Sequence, residues 1–425
     1  MVSPQIELSA YGRRSGPNQM TTIVAPFIGM SDVAMLAQGA PPKSANPIAA
    51  ISLELANGQT VRIDSTAAIA DAQSYLYARA GYTPLLAWCS DFFRKHHDPP
   101  GEVEVALHAG STDAISTLAA ILLEPGDVCL TEAYTWGTAL DGLRSRGIHL
   151  VGVEVDADGM VPEALEAACA RLAADGTPPK TLYIVPNGSN PCGSTLSRER
   201  LGAIYGTCAR RHVTIVEDDP YWFLSLADGA RLPGPARSSF ASLDTAAIVI
   251  RIDSFAKCVA PGFRLGWLAG PPHVVRAFNG ACSTSSHNGS PLAMVALHAL
   301  LHHWGESGFN EHVARVRTEY ARRLRVLLGA CDAHLKGLAT WAAPKAGMFL
   351  WLDLSPSRVH DASVLMPALR EHRVLTIPSV VFSPSGQPSP HMRISFSAAS
   401  DGDLSSGVGR LARLLVEHKA ASPAG

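Results

Sequence analysis

At 425 residues the chain is too long for one small core, so a large domain with a smaller one, or two to three domains, is expected. It is 47% hydrophobic and 17% charged, with Gly and Pro dispersed, which excludes a disordered or fibrous protein. The formal net charge of −2 removes any global basic field for nucleic acid or anionic membrane, so an anion site has to be local. In chain order, residues 1–55 lack strong periodicity and read as an extended arm carrying loops. Arg13 and Arg14 are the only basic residues of the first twenty, a polar stretch that lacks the apolar core expected of a secretory signal. From about residue 103, apolar strand-like runs (128–131, 181–185, 213–216, 247–250, 265–269) alternate with stretches of helical composition such as 198–211. Alternation of this kind predicts an α/β domain with a mainly parallel sheet. Residues 309–328 read as one long Arg-rich amphipathic helix, with Arg315, Arg317, Arg322, Arg323 and Arg325 on a solvated face. Strands at 347–352 and 392–396 and a helix at 362–372 then suggest a smaller α+β domain. The predicted division is an arm over 1–55 packing with the small domain, a large α/β domain over 56–315 and the small domain over 316–425.

The eight cysteines are scattered without a C-x-x-C pair, which argues against a disulfide framework or a zinc site and for reduced thiols in the cytoplasm, a mitochondrial address staying open. No run reaches ~20 uninterrupted apolar residues, so no membrane-spanning helix is expected. The pairs His96-His97 and His302-His303 are adjacent and project to different sides of a helix, which disfavours joint metal ligation.

In open α/β sheets, ligands lie beyond the carboxyl ends of the strands. Residue 185 is followed by Pro186, Asn187, Gly188, Ser189 and Asn190, a turn with a useful amide in Asn190. Residue 216 is followed by Glu217, Asp218, Asp219, Pro220 and Tyr221. Residue 250 is followed by Ser254, Phe255, Ala256 and Lys257, then by Gly262, Phe263 and Arg264. Gly110, Ser111 and Thr112 open an apolar helix and offer amides and hydroxyls to an anion. These parts suit pyridoxal 5′-phosphate, which needs a lysine for its aldehyde, a carboxylate to keep the ring nitrogen protonated, donors near the ring oxygen and a phosphate site. Lys257 supplies the first and Asp218 the second, while Asn190 and Tyr221 reach the ring oxygen and Ser111, Thr112, Ser254 and Arg264 hold the phosphate. Burial beside the Arg264 cation would favour the neutral amine of Lys257.

The segments Asn190-Pro191-Cys192-Gly193, Asp218 with Tyr221, Ser254-Phe255-Ala256-Lys257 and Gly262-Phe263-Arg264 resemble the signature of class I (fold type I) pyridoxal-phosphate aminotransferases. The likeness runs from about Met35 to Leu415 and is strongest to the kynurenine/2-aminoadipate group with its fungal aromatic relatives. It implies a large domain with a mainly parallel sheet, a smaller α+β domain and a homodimer with shared active sites. It also implies that Tyr134 stacks on the cofactor ring, that Arg393 binds the substrate carboxylate as a planar guanidinium can, and that Gly39 lies over the substrate. Tyr75, in preference to Tyr77, would reach the partner's phosphate. Three departures stand out: Ala256 where the family has serine, Gly-Ser-Thr at 110–112 where it has Gly-Ser-Gln, and Pro378-Ser379 where it has Pro-Gly. The implied reaction moves an amino group from an aromatic, kynurenine-like or 2-aminoadipate amino acid to a 2-oxo acid such as 2-oxoglutarate. The alternatives are a C–S β-lyase or ring-forming synthase on the same cofactor and an aminotransferase-like regulator. No nucleic-acid or membrane partner is expected.

Overall fold

The computed structural model describes residues 6–421 except 18, 28, 29, 35, 38, 77–79 and 227–238. After an antiparallel hairpin (Ile51–Glu54 with Thr60–Ile63), helices and strands alternate. They are α1 (Thr83–His97), β1 (Glu104–His108), α2 (Ser111–Leu122), β2 (Val128–Glu132), α3 (Gly137–Arg144), β3 (His149–Val153), α4 (Pro162–Ala174), β4 (Pro179–Ile184), α5 (Arg198–Arg211), β5 (Thr214–Asp218), β6 (Val249–Ser254), β7 (Gly266–Gly270) and α6 (Pro272–Cys282). A helical stretch Pro291–His334 is interrupted at Gly305 (φ 57°, ψ −170°) and leads to β8 (Thr340–Trp341), β9 (Phe349–Asp353), β10 (Ile377–Pro378), β11 (His391–Ser395) and α7 (Asp401–Ala421). The predicted strands 128–131, 181–185, 213–216, 247–250 and 265–269 correspond to β2, β4, β5, β6 and β7. Residues 362–372 start as a 3₁₀ turn (Ala362–Leu365) before the α-helix Met366–Glu371, because Pro367 can occupy only the first turn of a helix.

The chain divides into two compact units, Met1–Glu124 with Pro233–Glu311, and Pro125–Leu232 with His312–Gly425. In the first, β1, β7 and β6 lie in the order β1–β7–β6, and β7 runs antiparallel to both neighbours. Its core includes an aromatic cluster in which the Phe255 ring stands 4.9 Å from Trp267 and 5.8 Å from Trp88, itself 5.4 Å from Phe309. Such pairs add to area burial by about 0.5–1.5 kcal/mol each. They anchor the turn after β6, since Phe255 is only two residues from Lys257. Within this unit the start of the arm is tied to α2: the Ser9 amide donates to the Ile121 carbonyl at 2.8 Å and the Ser9 hydroxyl to that of Ala120 at 2.6 Å.

In the second unit β5–β4–β2–β3 form a wholly parallel run. The strands β2 and β5 are buried at every position, as befits parallel strands covered on both faces. Helix α5 starts at Ser197, whose hydroxyl accepts from the Arg200 amide at 3.3 Å. A separate antiparallel sheet has the order β8–β9–β11–β10. The Arg-rich face holds a correction. Arg322 and Arg323 pair with Glu319 at the surface, but Arg317 is 6% exposed and its Nε donates to the Phe223 carbonyl at 2.6 Å. A backbone acceptor inside the unit draws that one side chain in.

Candidate active site

In the first unit an anion receptor takes shape at the start of α2. Gly110 is the N-cap residue with φ 97° and ψ 158°, a conformation open essentially to glycine. Its amide donates to Nδ1 of the fully buried His108 at 3.1 Å. Burial lowers the His108 pKa to about 4, so the ring is neutral at pH 7 and its Nδ1 is free to accept. The guanidinium of Arg264 lies against Gly110, for a Cβ placed there would stand 2.3 Å from Nη2. The N-terminal amides of a twelve-residue helix, the flanking Ser111 and Thr112 and a guanidinium thus converge, the arrangement that binds phosphate.

The turn that carries Lys257 belongs to the same unit. Ser254 is buried and its hydroxyl accepts from the Ala256 amide at 3.1 Å, a contact that needs no side chain at 256. The Phe255 amide donates to the Leu265 carbonyl at 3.1 Å. Arg264 sits in left-handed backbone (φ 52°, ψ 45°) at the close of a 3₁₀ turn, Pro261–Phe263. Lys257 is half-buried at the end of this braced segment. Gly39 and Tyr75 are exposed, Tyr75 by 54%. Tyr77, its rival, lies outside the described residues.

The second unit gathers the other predicted residues. Arg393 Nη1 donates to Asn190 Oδ1 at 2.7 Å. Its guanidinium carbon stands 4.3 Å from the Phe349 ring centroid and 4.8 Å from that of Phe382, a cation–π clamp that fixes the plane of the fork. Arg393 Nε is buried without a hydrogen-bond partner among the described residues. A buried cation with an unmet donor is prepared for an anionic acceptor. Across β9 and β11, Arg393 pairs with Trp351, and Asp353 with His391. Tyr134 meets this group, 5.2 Å from the Trp351 ring and 5.6 Å from His391. Tyr134, Trp351 and His391 border a cavity of about 380 Å³ whose lining includes Asp156 and Asp353.

Asp218 ends β5 and is 2% exposed. The Tyr183 hydroxyl donates to its Oδ2 at 2.7 Å. Tyr221 is 5% exposed, and burial followed by the nearby Asp218 charge pushes its phenol pKa up, while Arg393 pulls it back. Asp219 serves the turn, accepting from Asn187 Nδ2 at 2.7 Å. Sequence reasoning did not name Tyr183, His108, Glu132 or the Phe349–Phe382 clamp. One signal was readable for Tyr183: a phenol inside a fully buried strand has to find a hydrogen-bond partner.

The comparisons with known proteins define the class, the pyridoxal-phosphate enzymes of fold type I. The sequence model of aminotransferase class I and II matches residues 79–411, and the chain belongs to that family. The mitochondrial kynurenine/alpha-aminoadipate aminotransferase of Mus musculus is 31% identical over 401 residues, covering 90% of this chain and 91% of that one. The crystal structure of aminotransferase Aro8 from Candida albicans superposes with a TM-score of 0.84 at 25% identity, over 98% of this chain and 100% of the other. An alpha-aminoadipate aminotransferase from Thermus thermophilus, complexed with N-(5′-phosphopyridoxyl)-L-leucine, gives 0.70 at 26% identity over 81% and 83%. The chain is a pyridoxal-phosphate-dependent aminotransferase, and its own residues fit that cofactor: the receptor at α2 suits a phosphate and the buried Asp218 suits a ring cation.

Proposed function

We propose that this chain transfers the amino group of an aromatic, kynurenine-like or 2-aminoadipate amino acid to a 2-oxo acid such as 2-oxoglutarate. The observation that carries the proposal is Arg393, clamped by two phenyl rings, tied to Asn190 and left with a buried donor unmet. That is a receptor for the α-carboxylate common to donor and acceptor. Relatives that act on kynurenine and aminoadipate support the substrate class.

Bound pyridoxal phosphate supplies an electron sink for the charge left on the substrate when its α-proton departs. Lys257 would hold the cofactor aldehyde, and its amine would move the substrate α-proton, as base and then as acid. Asp218 keeps the ring nitrogen protonated. Asn190 and Tyr221 would serve the ring oxygen, Tyr134 would offer its ring to the cofactor, and Ser111, Thr112, Ser254 and Arg264 would hold the phosphate. Gly39 covers the substrate. We assign the cofactor to a domain spanning 56–315 and a smaller domain to 316–425, and we propose a cytoplasmic homodimer in which the exposed Tyr75 reaches the partner's phosphate.

The test loads the purified chain with cofactor. The wild type should show a visible absorption band that Lys257→Ala lacks. Amino acids of the three classes should each release one equivalent of 2-oxo acid per chain in the absence of an acceptor, without ammonia. A wild type without the band would overturn the role of Lys257, and ammonia release would assign the chain to elimination chemistry instead.

A further inference from the structure

We infer that Tyr183 is a positioning residue for the reaction: by donating a hydrogen bond to Asp218 it holds that carboxylate ionised and oriented, and so keeps the proton on the cofactor's ring nitrogen. The inference rests on the reading of Asp218 as the partner of that nitrogen. Its basis is geometric. Strands β4 and β5 run parallel in the register Tyr183↔Val216 and Ile184↔Glu217. Alternation along β5 places Val216 and Asp218 on one face, so Tyr183 shares that face with the carboxylate. The phenol oxygen reaches Asp218 Oδ2 at 2.7 Å, a length typical of an O–H donor on a charged acceptor. Tyr183 and Asp218 are each 2% exposed, so water does not compete for the bond.

The direction of the effect follows from the two places the proton can occupy. On the ring nitrogen it leaves a cation facing a carboxylate. On Asp218 it leaves a neutral ring facing a carboxylic acid. A donor on Oδ2 stabilises the carboxylate and therefore the first arrangement. Tyr183 remains a donor because burial, then the Asp218 charge, drives its pKa far above the ordinary phenol value. Glu132, at the end of the neighbouring β2, does not compete as a second anion, because burial raises its pKa to about 8. A hydrogen bond to a charged group corresponds to about ten- to a hundredfold in an equilibrium, which sets the scale on which the proton should shift when the hydroxyl is removed.

The experiment uses holoenzyme loaded with cofactor labelled with ¹⁵N in the ring. The wild type should give a pyridinium-type resonance and Asp218→Asn a pyridine-type one. Tyr183→Phe, which retains the ring and removes the hydroxyl, should move the resonance toward the pyridine position. It should also weaken cofactor retention and lower kcat by about ten- to a hundredfold, with KM for the amino acid changed by less than about threefold. A Tyr183→Phe resonance identical to the wild type would overturn the inference while leaving the role of Asp218 intact. Identical resonances in wild type and Asp218→Asn would overturn both. Should Tyr183→Phe not accumulate as folded holoenzyme, 3-fluorotyrosine at position 183 preserves the shape and strengthens the donor. The resonance should then stay at the pyridinium position, and one moved toward pyridine would overturn the inference.

Discussion

Glu132 makes the stability of this protein depend on pH in a direction opposite to that of most carboxylates. The side chain is 2% exposed, and its Oε2 accepts one hydrogen bond, from the Val185 amide at 3.2 Å. Burial raises its pKa from 4.5 to about 8, and the Val185 bond offsets only part of that. Between those two values the folded chain binds a proton that the unfolded chain has released, so folding stability falls as pH rises. The slope is about 1.4 kcal/mol per pH unit, and the loss reaches roughly 4 kcal/mol by pH 8, against a typical total of about 5–15 kcal/mol. Below pH 4.5 the carboxyl is protonated in both states and contributes no such loss. Glu132→Gln keeps an acceptor for Val185 and is neutral throughout. Urea unfolding of wild type and Glu132→Gln at half-unit steps from pH 5 to 9 measures the difference. The variant should lead the wild type by less than about 1 kcal/mol at pH 5, gain on it steadily to about pH 8 and hold a constant lead above that. A difference that stays flat across the range would refute the claim that Glu132 is buried as the acid.

Arg393→Ala should raise KM for the amino acid by about ten- to a hundredfold, the scale of a charge-assisted hydrogen bond, while the visible band persists. Arg393→Lys should recover only a fraction of the loss, because an ammonium cannot form the planar fork that Phe349 and Phe382 hold; steady-state kinetics for both variants decide it. The bidentate pair of Arg251 with Asp253, two contacts of 2.8 Å with both side chains at most 1% exposed, should make Asp253→Ala cost about 3–5 kcal/mol in urea unfolding. Arg251→Met combined with Asp253→Leu should cost less than Asp253→Ala alone, and a cost equal to the sum of the two single changes would count against a charge left buried.

What the sequence makes legible here is local. Strand ends, helix composition and the residues just past each strand can be read from one stretch of chain, and Asn190, Asp218 and Lys257 all occupy such positions. Tyr183 is different. Flanked by Leu182 and Ile184 it reads as core, and its bond to Asp218 depends on the register of β4 on β5, which is set by pairing over 35 residues of separation. Arg317 sits among four other arginines of similar spacing, and what draws it inward is the carbonyl of Phe223, 94 residues away. The clamp on Arg393 likewise needs Phe349 and Phe382 from different segments of the second unit. Periodicity assigns a face to each of these residues, but it carries no information on which distant backbone or ring completes the environment.

Gly110 allows the anion receptor to be taken apart into backbone and side-chain contributions. Replacing it with alanine forces a Cβ into a backbone conformation that costs an L-residue about 1–3 kcal/mol. The same Cβ would lie 2.3 Å from Arg264 Nη2 and 2.9 Å from Cζ. The guanidinium is the end of a flexible chain on an exposed residue, so it can swing away, and the clash is relieved at the expense of the receptor's side-chain cation. The strain acts on stability; the eviction acts on phosphate affinity. A double-mutant cycle separates them. Arg264→Ala alone should weaken cofactor retention by about ten- to a hundredfold, as expected for loss of a charged hydrogen-bond donor. If Gly110→Ala works by evicting Arg264, the double variant should retain cofactor about as well as Arg264→Ala, while its unfolding midpoint still carries the backbone penalty. Losses of affinity that add would mean that alanine disturbs the helix amides themselves, and that Arg264 does not share the anion with them.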